Sequence, residues 1–394
     1  MTQRTASPCY LCNSSDTELF FELPNVPTMD GVLWPSKQAA LQAPKGDIRL
    51  QFCRSCGYIG NEGYEQEKVQ FDHYDFSLKH SPLFVSYINS LADRLIERYG
   101  LRHKCVLDVG CGDGHFLETI CERGPNKGIG IDPGYKREAM QLPVGLGVEY
   151  LQDYYTGAYA QLKPDLVANR LVIDLLGDPR AFLEIFYHNL KDKPETILYF
   201  EVPYANYTFG EKIIWNIVYE HRSWFTPQSF RYLFESAGFE VLEVAPCWND
   251  EFLGIEARIN PAGPQQEVQV SAEEIGQLSK MVGEFARDAN KLMQSWQLQL
   301  SALQDHQKTV LWGAGARGVT FLNVFDLKEQ VAFAVDINPK RQGEHLAGSG
   351  HKVEAPEYLQ HYQPELIIIS NPTYAHEIQQ QARGLGLDAE FMVL

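Results

Sequence analysis

Short apolar runs that end in glycine or acidic residues recur along two stretches of the chain, residues 66–260 and 308–394. In the first stretch, residues 106–109 and 128–131 form such runs, and each has the length of a strand. Apolar runs without polar alternation are typical of parallel strands that are buried on both faces. The pattern therefore predicts an α/β fold over residues 66–260, with parallel strands connected through helices.

The pattern returns in the last part of the chain, at residues 308–394. The first predicted strand, residues 306–312, leads into a glycine loop. The second, residues 331–335, ends at an aspartate, and the third, residues 365–370, ends at an Asn-Pro pair. The third is almost continuously apolar, as expected of a buried parallel strand. We predict a second, smaller Rossmann-like unit here, so that two doubly wound sheets stand in tandem.

Between these stretches, apolar residues recur every three or four positions behind a helix start signal. Residues 260–264 read Asn-Pro-Ala-Gly-Pro, which ends the preceding element, and Ser271 precedes two acids in a predicted first turn. The apolar stripe continues to about Gln307. We predict a linking helix within residues 261–307 that packs across both α/β units.

The first 65 residues are loop-rich and carry two CxxC pairs, Cys9/Cys12 and Cys53/Cys56. Four thiolates complete a tetrahedral zinc site and leave no open position for a substrate. The gap of about 40 residues between the pairs is longer than in a simple zinc ribbon and must carry its own structure. We predict a zinc-binding domain over residues 1–65 with a structural metal. Four unligated cysteines are the alternative.

Length and charge limit the classes of function. A chain of 394 residues favours two to three domains, and its net charge of -17 argues against nucleic acid as a partner. No apolar run reaches the length of a membrane span, so we expect no membrane partner. The N-terminal residues show no apolar signal segment, and we therefore expect a cytoplasmic protein.

The first glycine loop follows the predicted strand at residues 106–109 and reads Gly-Cys-Gly-Asp-Gly. This is G-x-G-x-G spacing, not the G-x-G-x-x-G of nicotinamide enzymes. Asp132 ends the second predicted strand, where a carboxylate can accept hydrogen bonds from both ribose hydroxyls, and Asp153 falls near the adenine. These features predict an S-adenosylmethionine (SAM) site. The predicted cofactor-binding residues are Asp108, Gly110, Gly112, Gly114, Asp132 and Asp153.

The second glycine loop, Gly313-x-Gly315-x-x-Gly318, together with Asp336, matches the dinucleotide fingerprint. Taken alone, it predicts NAD binding and a dehydrogenase. The unit has fewer than 90 residues, however, which is only half of a dinucleotide fold. Arg317, at the predicted helix start, can contact a diphosphate instead.

Together, the four-cysteine domain, the SAM-type core and the C-terminal unit resemble the zinc-containing, SAM-dependent C-methyltransferases of nucleotide-diphosphate sugars, which make branched deoxysugars. The strongest local matches are Tyr219-Glu220-His221, continued by Arg-Ser-Trp-Phe-Thr-Pro, and Glu201-Val202-Pro203. The resemblance covers nearly the whole chain. It implies that a sugar nucleotide lies between the central and C-terminal domains. It also implies that a methyl group goes to a carbon next to a ketone through an enolate.

The resemblance implies roles for individual residues. His221 is the expected base, which suits the removal of a weakly acidic proton near neutral pH. Glu220 orients the ring or the substrate, and Tyr219 offers a hydroxyl to the enolate oxygen. Tyr74 is expected to contact the substrate or SAM. Arg317 and Asn371 are the expected substrate-binding residues of the C-terminal unit.

Two positions depart from the family's pattern. Phe76 stands where the family often has a second tyrosine, and Leu175 stands where the sugar enzymes carry a histidine near the reacting centre. Either His221 works without that second histidine or the substrate differs. An O- or N-methyltransferase acting on another small metabolite is therefore the alternative, and a zinc-ribbon nucleic-acid module is a more distant one.

Overall fold

The computed structural model describes residues 7–70, 77–135, 147–265, 268–303 and 307–394. The strands are β1 (Thr17–Pro27), β2 (Leu33–Trp34), β3 (Lys45–Cys53), β4 (Ile59–Asn61), β5 (Cys105–Val109), β6 (Lys127–Ile131), β7 (Val148–Leu151), β8 (Leu166–Arg170), β9 (Ile197–Pro203), β10 (Ser223–Trp224), β11 (Phe239–Cys247), β12 (Phe252–Ile259), β13 (Thr309–Trp312), β14 (Ala334–Val335), β15 (His345–Leu346), β16 (Val353–Glu354), β17 (Leu366–Ile369) and β18 (Glu390–Val393). The helices are α1 (Lys37–Leu41), α2 (Pro82–Tyr99), α3 (His115–Arg123), α4 (Pro179–Leu190), α5 (Ala205–Gly210), α6 (Pro227–Ser236), α7 (Ala272–Ser301), α8 (Ala316–Val324), α9 (Leu359–Tyr362) and α10 (Ala375–Gly384). None of these helices is both long and apolar enough to cross a membrane.

The N-terminal sheet explains the long gap between the two cysteine pairs. Its order is β1-β3-β4-β10, and β1 pairs antiparallel with β3 so that Thr17 lies opposite Cys53. The chain between the pairs thus forms a hairpin that returns Cys53 to the neighbourhood of Cys12. The fourth strand of this sheet, β10, comes from the central part of the chain and pairs with β4. The N-terminal unit is therefore joined to the central unit through backbone hydrogen bonds.

The central sheet has the order β11-β12-β9-β8-β5-β6-β7. Strands β5 to β9 run parallel, and β12 is antiparallel to both of its neighbours. Counting from β5 and leaving β10 aside, the strand order is 3-2-1-4-5-7-6. The order reverses between β5 and β8, which is where ligands bind in open α/β sheets. The α/β fold predicted for this stretch is confirmed.

The C-terminal sheet is a five-stranded parallel sheet with the order β16-β14-β13-β17-β18. Counting from β13 and leaving β15 aside, the strand order is 3-2-1-4-5, so this unit repeats the first five positions of the central sheet. Its core is formed by the apolar faces of β13 and β17, whose residues are all buried. The remaining strand, β15, pairs with β2 and ties the C-terminal unit to the N-terminal one.

The linking helix α7 begins after Ser271, whose hydroxyl accepts from the Glu274 N–H in a capping box. It ends at Ser301, six residues before the predicted end at Gln307, and the chain then leads into β13. Phe285 packs edge-on against Phe21 of β1 and Phe209 of α5, at centroid distances of 5.1 Å each. The helix therefore contacts the N-terminal sheet as well as the α/β units that were predicted to flank it.

Candidate functional site

The main cleft lies where the carboxyl ends of the two parallel sheets face each other, and its volume is about 680 Å³. The segments that follow β5, β6, β7 and β8 line one side of it, and the segments that follow β13, β14 and β17 line the other. Strand ends of this kind carry the ligand sites of doubly wound folds. The topology thus brings both predicted glycine loops to one cleft.

The first glycine loop requires glycine for two different reasons. Gly110 has φ +74°, and a Cβ there would lie 2.4 Å from Val172 Cγ2, so the loop needs glycine to pack against the segment after β8. Gly112 has φ +54°, but no atom of the described residues lies within 4 Å of its Cβ position. Gly112 therefore offers bare backbone to a ligand in the cleft. Gly114 precedes α3 at φ +79° and packs against the Tyr150 hydroxyl.

The Asp132 carboxylate is held by the backbone beside this loop. It accepts hydrogen bonds from the N–H groups of Gly112 at 2.9 Å and Gly134 at 2.7 Å, and burial raises its pKa. Each oxygen keeps a second lone pair, which suits the two hydroxyls of a ribose. This arrangement fits the nucleoside part of SAM.

The other two predicted cofactor acids differ in environment. Asp108 is buried, and burial raises its pKa to about 7 although the Arg170 charge opposes the shift. Asp153 is exposed at the far end of the cleft. It accepts hydrogen bonds from the Tyr159 hydroxyl at 2.6 Å and the Tyr154 N–H at 2.8 Å, and these bonds lower its pKa. Both residues line the cleft, as Gly110 and Gly112 do.

Three ionisable side chains meet at the centre of the cleft. His221 Nε2 lies 3.8 Å from Asp174 Oδ2, and both residues line the cleft together with Glu220. Glu220 is buried and accepts a hydrogen bond from the Gly31 N–H at 2.8 Å. Burial lowers the pKa of His221 to about 4, and burial together with the Glu220 charge raises that of Asp174 to about 7. A buried, neutral imidazole thus lies beside a carboxyl group that titrates near neutrality.

Asp174 is a candidate site residue that the sequence analysis missed. Neither of its carboxylate oxygens has a hydrogen-bond partner within the described part of the chain, although both are buried. Groups of this kind are uncommon in folded proteins and are often functional. Its position four residues after β8, next to the switch point of the sheet, is the signal in the sequence that could have identified it.

Tyr219 does not join this cluster. Tyr219 is buried outside the cleft lining, where its hydroxyl donates to the Gly63 carbonyl at 3.1 Å and accepts from the Glu65 N–H at 2.9 Å. Its ring also stacks on Tyr64. The expected contact between the Tyr219 hydroxyl and an enolate oxygen is therefore replaced by a structural role. Tyr74 lies outside the residues that the structure describes.

Leu175, the residue in place of the family's histidine, lines the cleft and is buried. Trp215 and Val218 line the cleft as well and are also largely buried. The Leu175 carbonyl accepts a hydrogen bond from the Tyr64 hydroxyl at 2.9 Å, which fixes the backbone next to Asp174. A buried leucine therefore occupies the position where the resemblance implied a second imidazole.

Glu201, part of the second local match to the sugar enzymes, is fully buried in a polar network. Arg170 donates to its Oε1 at 2.7 Å, and the hydroxyls of Tyr87 and Tyr199 donate to its Oε2. The Arg170 guanidinium also lies 5.2 Å from the ring centroid of Phe116. Arg170 lines the cleft, so this ion pair supports the cleft wall from behind.

On the opposite wall, Arg317 and Asn371 both line the cleft. Arg317 forms an ion pair with Glu251 at 2.8 Å, and its Nη1 is buried with no hydrogen-bond partner among the described residues. The Asn371 side chain accepts a hydrogen bond from the Thr373 N–H at 2.9 Å. A buried guanidinium with an unused donor is suited to bind a negatively charged group.

The four N-terminal cysteines converge outside the cleft. Their sulfur atoms all lie within 4.8 Å of one another, with Cys9–Cys56 at 3.7 Å and Cys12–Cys53 at 3.6 Å. A tetrahedral zinc ion with Zn–S bonds of about 2.3 Å needs sulfur–sulfur separations of about 3.8 Å. The cysteine geometry therefore fits zinc.

Comparisons with known proteins agree with this geometry. A methyltransferase domain model matches residues 84–244, and a C-methyltransferase C-terminal domain model matches residues 260–393. The C-methyltransferase NovU of Streptomyces niveus is 25% identical over 346 residues, which cover 83% of this chain and 80% of that protein. The tRNA U34 carboxymethyltransferase of Helicobacter pylori is 32% identical over 111 residues, 25% of this chain and 41% of its own length.

One similar solved structure is that of the Burkholderia thailandensis 1,6-didemethyltoxoflavin-N1-methyltransferase with bound 1,6-didemethyltoxoflavin and S-adenosylhomocysteine. It is 16% identical with a TM-score of 0.36, and the match covers 44% of this chain and 79% of that one. The two matched domain models and the similarity to NovU confirm the prediction of a SAM-dependent methyltransferase and support methylation at carbon.

Proposed function

We propose that this SAM-dependent methyltransferase transfers a methyl group to a carbon next to a ketone in a nucleotide-diphosphate sugar, through an enolate. The observation that carries the proposal is the shared cleft. The SAM-type loop, the Asp174–Glu220–His221 cluster and a second nucleotide-type glycine loop all line it. The similarity of residues 260–393 to a C-methyltransferase C-terminal domain favours carbon over oxygen or nitrogen as the acceptor.

SAM fits the first wall of the cleft, where Gly112 and Asp132 hold its nucleoside part. When bound, SAM supplies an electrophilic methyl group, which the enolate carbon accepts while the methyl–sulfur bond breaks. Asp108 and Arg170, at the ends of β5 and β8, both line the cleft, and the positive charge of Arg170 favours the ionised form of Asp108. These residues bind and orient the cofactor, and the acid–base chemistry falls to the neighbouring cluster.

His221 is the base in this proposal. Its lowered pKa of about 4 keeps the imidazole neutral at pH 7, so a ring nitrogen is free to accept a proton from the substrate carbon. Burial otherwise disfavours the imidazolium that forms. Asp174, 3.8 Å away, offsets this cost because a carboxylate beside the ring stabilises its positive charge. Glu220, anchored by the Gly31 N–H, supplies a second negative charge in the same cluster.

The apolar wall next to this cluster has a role in the same step. Leu175, Trp215 and Val218 exclude water from one side of the reacting centre. Exclusion of water protects an enolate from reprotonation before the methyl group is transferred. In this account the leucine, where the family has a histidine, leaves the proton chemistry to His221 and Asp174.

The nucleotide end of the substrate is placed on the second wall. Gly315 precedes α8, and within the described part of the chain no atom lies within 4 Å of its Cβ position. The helix N-terminus behind it attracts a diphosphate. Arg317, with its unused Nη1 donor, lies in the first turn of the same helix. The sugar then extends from this wall toward His221.

The cysteine cluster is proposed to hold a structural zinc ion that supports the catalytic segment. Directly after Cys56, the Gly57 carbonyl accepts a hydrogen bond from the Thr226 hydroxyl at 3.1 Å. The Tyr58 and Ser223 hydroxyls share a hydrogen bond at 2.7 Å. Residues 223–226 follow His221, so the metal site fixes the segment that carries the base.

The product of methylation tests the proposal. Purified enzyme is incubated with SAM carrying a ¹³C-methyl group and with a panel of keto-deoxysugar nucleotides, and the product is examined by ¹³C–¹H correlation NMR. We expect a methyl signal coupled to ring carbon, with S-adenosylhomocysteine as co-product. A methyl group attached to oxygen or nitrogen would contradict C-methylation, and failure with every sugar nucleotide would contradict the substrate class.

A further inference from the structure

The turn that joins β11 to β12 has an unusual backbone. Its first three residues, Trp248, Asn249 and Asp250, have φ values of +48°, +53° and +62°. Residues other than glycine rarely adopt this left-handed region, because Cβ then approaches the following carbonyl oxygen. The Glu251 N–H closes the turn with a hydrogen bond to the Trp248 carbonyl at 3.0 Å. Strained backbone of this kind persists where surrounding contacts hold it, and it is common at functional sites.

Contacts with the central unit hold both ends of this turn. The buried Trp248 ring packs edge-on against Phe84, with ring centroids 5.1 Å apart, and its centroid lies 5.0 Å from that of Tyr87. Phe84 and Tyr87 both belong to α2. The Tyr204 N–H donates to the Glu251 carbonyl at 2.9 Å. The turn is therefore fixed to the central unit through its first and last residues.

The side chain of Glu251 reaches from this turn to the C-terminal unit and is only 6% exposed. Its Oε2 accepts a hydrogen bond from Arg317 Nη2 at 2.8 Å, and its Oε1 accepts one from the Thr373 hydroxyl. Arg317 lies in the first turn of α8, which follows β13, and Thr373 follows β17. Because β13 and β17 are neighbours in the C-terminal sheet, one carboxylate holds the segments after both strands.

The same carboxylate determines how the Arg317 guanidinium is oriented. The guanidinium is planar, so the pairing of Nη2 with Glu251 also fixes the direction of Nη1. Nη1 is buried without a hydrogen-bond partner among the described residues, and Arg317 lines the cleft. A donor that is fixed before its ligand arrives loses less conformational entropy on binding. Glu251 is thus suited to prepare Arg317 for a negatively charged group.

We propose that Glu251 is a positioning residue, which the strained turn holds in place so that it orients the Arg317 guanidinium at the boundary between the two units. The inference rests on the proposed function, because it assumes that the acceptor substrate carries a negative group that binds Arg317. Glu251 contributes both the position of its carboxylate and a negative charge. The charge by itself repels an anion, so any benefit to binding must come from the position.

Two variants separate position from charge. Glu251→Asp keeps the charge but withdraws the carboxylate by one methylene group, whereas Glu251→Gln keeps the length and removes the charge. The measurement is isothermal titration of the full chain, saturated with S-adenosylhomocysteine, with the diphosphates of thymidine, uridine, guanosine, cytidine and adenosine. The probe that wild type binds most tightly is then compared across the variants.

We expect Glu251→Asp to weaken this probe by about 10-fold or more, because small displacements of an orienting group are costly. The loss with Glu251→Gln should be smaller, since the length of the side chain is kept. Both variants should keep the affinity for S-adenosylhomocysteine within about twofold of wild type, which also shows that they are folded.

Glu377→Ala is the matched control. It removes a hydrogen bond from the Ser81 hydroxyl at 2.9 Å, which also joins the central and C-terminal units but involves neither Glu251 nor Arg317. The affinity of this variant for the probe should stay within about twofold of wild type.

An Arg317→Gln background distinguishes positioning from a general structural role. In that background Glu251→Asp should change the affinity for the probe by less than about twofold, because a positioning residue has no effect once the group that it positions is gone. A general structural role would instead produce the same loss in both backgrounds.

The inference would be overturned by wild-type affinity in Glu251→Asp, by a larger loss in Glu251→Gln, or by equal losses in the two backgrounds. The proposed function would then stand, because a nucleoside diphosphate still binds to the wild type. Binding of no nucleoside diphosphate by the wild type would contradict the proposed substrate class and the inference together.

Discussion

His221 Nε2 lies 3.8 Å from Asp174 Oδ2, and the Ser223 N–H donates to the Asp174 carbonyl at 3.0 Å. The segment after β8 and the segment before β10 are therefore joined through both backbone and side chain. The contact places a carboxyl group beside the proposed base at the centre of the cleft. Strand β10 also pairs with β4, next to the cysteine cluster. The segment that carries His221 is therefore held by the N-terminal sheet on one side and by the segment after β8 on the other.

Replacement of the base should remove activity without removing the cofactor. We expect His221→Asn to lower kcat/KM by about 10²–10⁴-fold, the usual contribution of general acid–base catalysis. The affinity for S-adenosylhomocysteine should stay within about twofold of wild type, because His221 lies on the segment before β10 and not in the glycine loop that is proposed to hold the cofactor. Steady-state kinetics measures the loss of kcat/KM, and isothermal titration measures the affinity for S-adenosylhomocysteine. A variant with wild-type kcat/KM would exclude His221 as the base.

The dependence of kcat/KM on pH should reflect the shifted pKa values of the residues around the proposed base. Burial lowers the pKa of His221 to about 4, so the base of the free enzyme stays unprotonated down to about pH 5. The acid limb that we expect in kcat/KM lies near pH 7 and belongs to Asp174, whose carboxylate form stabilises the imidazolium, so it should be absent in Asp174→Asn. An acid limb near pH 6.5, the ordinary pKa of histidine, that persists in Asp174→Asn would show that the His221 imidazole titrates as an exposed group.

The Asp174 carboxyl should make stability depend on pH in a defined direction. Its pKa is raised from 3.8 to about 7 by burial and by Glu220, so the native state binds more protons than the unfolded state between these values. The stabilisation is fully present below about pH 4 and is lost as pH rises through about 7. Asp174→Asn abolishes this loss. The variant should therefore gain on the order of 2–4 kcal/mol relative to wild type between pH 4 and 8.

Urea unfolding of both proteins across this pH range measures the difference. Glu240→Gln is a suitable control because Glu240 is an exposed acid paired with Arg258 on the surface. A stability difference between Asp174→Asn and wild type that does not change with pH would mean that the carboxyl titrates normally.

Removal of one cysteine of the proposed zinc site should disturb the segment that carries His221 through the N-terminal sheet. We expect Cys56→Ser to lose stoichiometric zinc, to lower Tm, and to lower activity more than S-adenosylhomocysteine affinity. The reason is that Gly57 and Tyr58 support Thr226 and Ser223, whereas the glycine loop lies in the central sheet. Metal analysis, thermal unfolding and titration check this. Cys105→Ser is the matched control and should keep its zinc. Full activity of a zinc-free Cys56→Ser protein would refute the supporting role.

The two glycines of the first loop should respond differently to the same substitution. Gly110→Ala brings a methyl group to within 2.4 Å of Val172 Cγ2 at a positive φ, and we expect it to cost about 2–4 kcal/mol of stability. Gly112→Ala meets no atom of the residues that the structure describes, so it should cost only about 1 kcal/mol but place its methyl group in the proposed cofactor site. Its affinity for S-adenosylhomocysteine should fall at least about 10-fold. Unaltered affinity would place the cofactor elsewhere.

Sequence patterns predicted the elements that depend on local chemistry. The apolar runs before Gly110 and Gly313 became the first strands of two parallel sheets, and Ser271 became the cap of the linking helix. The paired cysteines converged because a hairpin fills the gap between them. In each case the residues that carry the pattern lie close together in sequence or repeat at a fixed period.

The parts that the sequence did not predict depend on long-range placement. Tyr219 adjoins Glu220 and His221 in sequence, yet its hydroxyl points to Gly63 and Glu65, outside the cleft. Asp174 drew no attention because its significance comes from its own burial and from the contact with His221, 47 residues later. The early end of α7 at Ser301 likewise depends on where the chain must enter β13, and the apolar periodicity beyond that point carries no such information.

Exchange of the substrate proton with solvent tests directly whether His221 removes a proton from the carbon next to the ketone. The enzyme with bound S-adenosylhomocysteine, which cannot donate a methyl group, is incubated in D₂O with the keto-sugar nucleotide that it methylates, and NMR follows the carbon next to the ketone. If His221 is the base, we expect deuterium incorporation at that carbon with wild type and none above background with His221→Asn. Methylation without such exchange in the wild type, with the methyl group on oxygen or nitrogen, would contradict it.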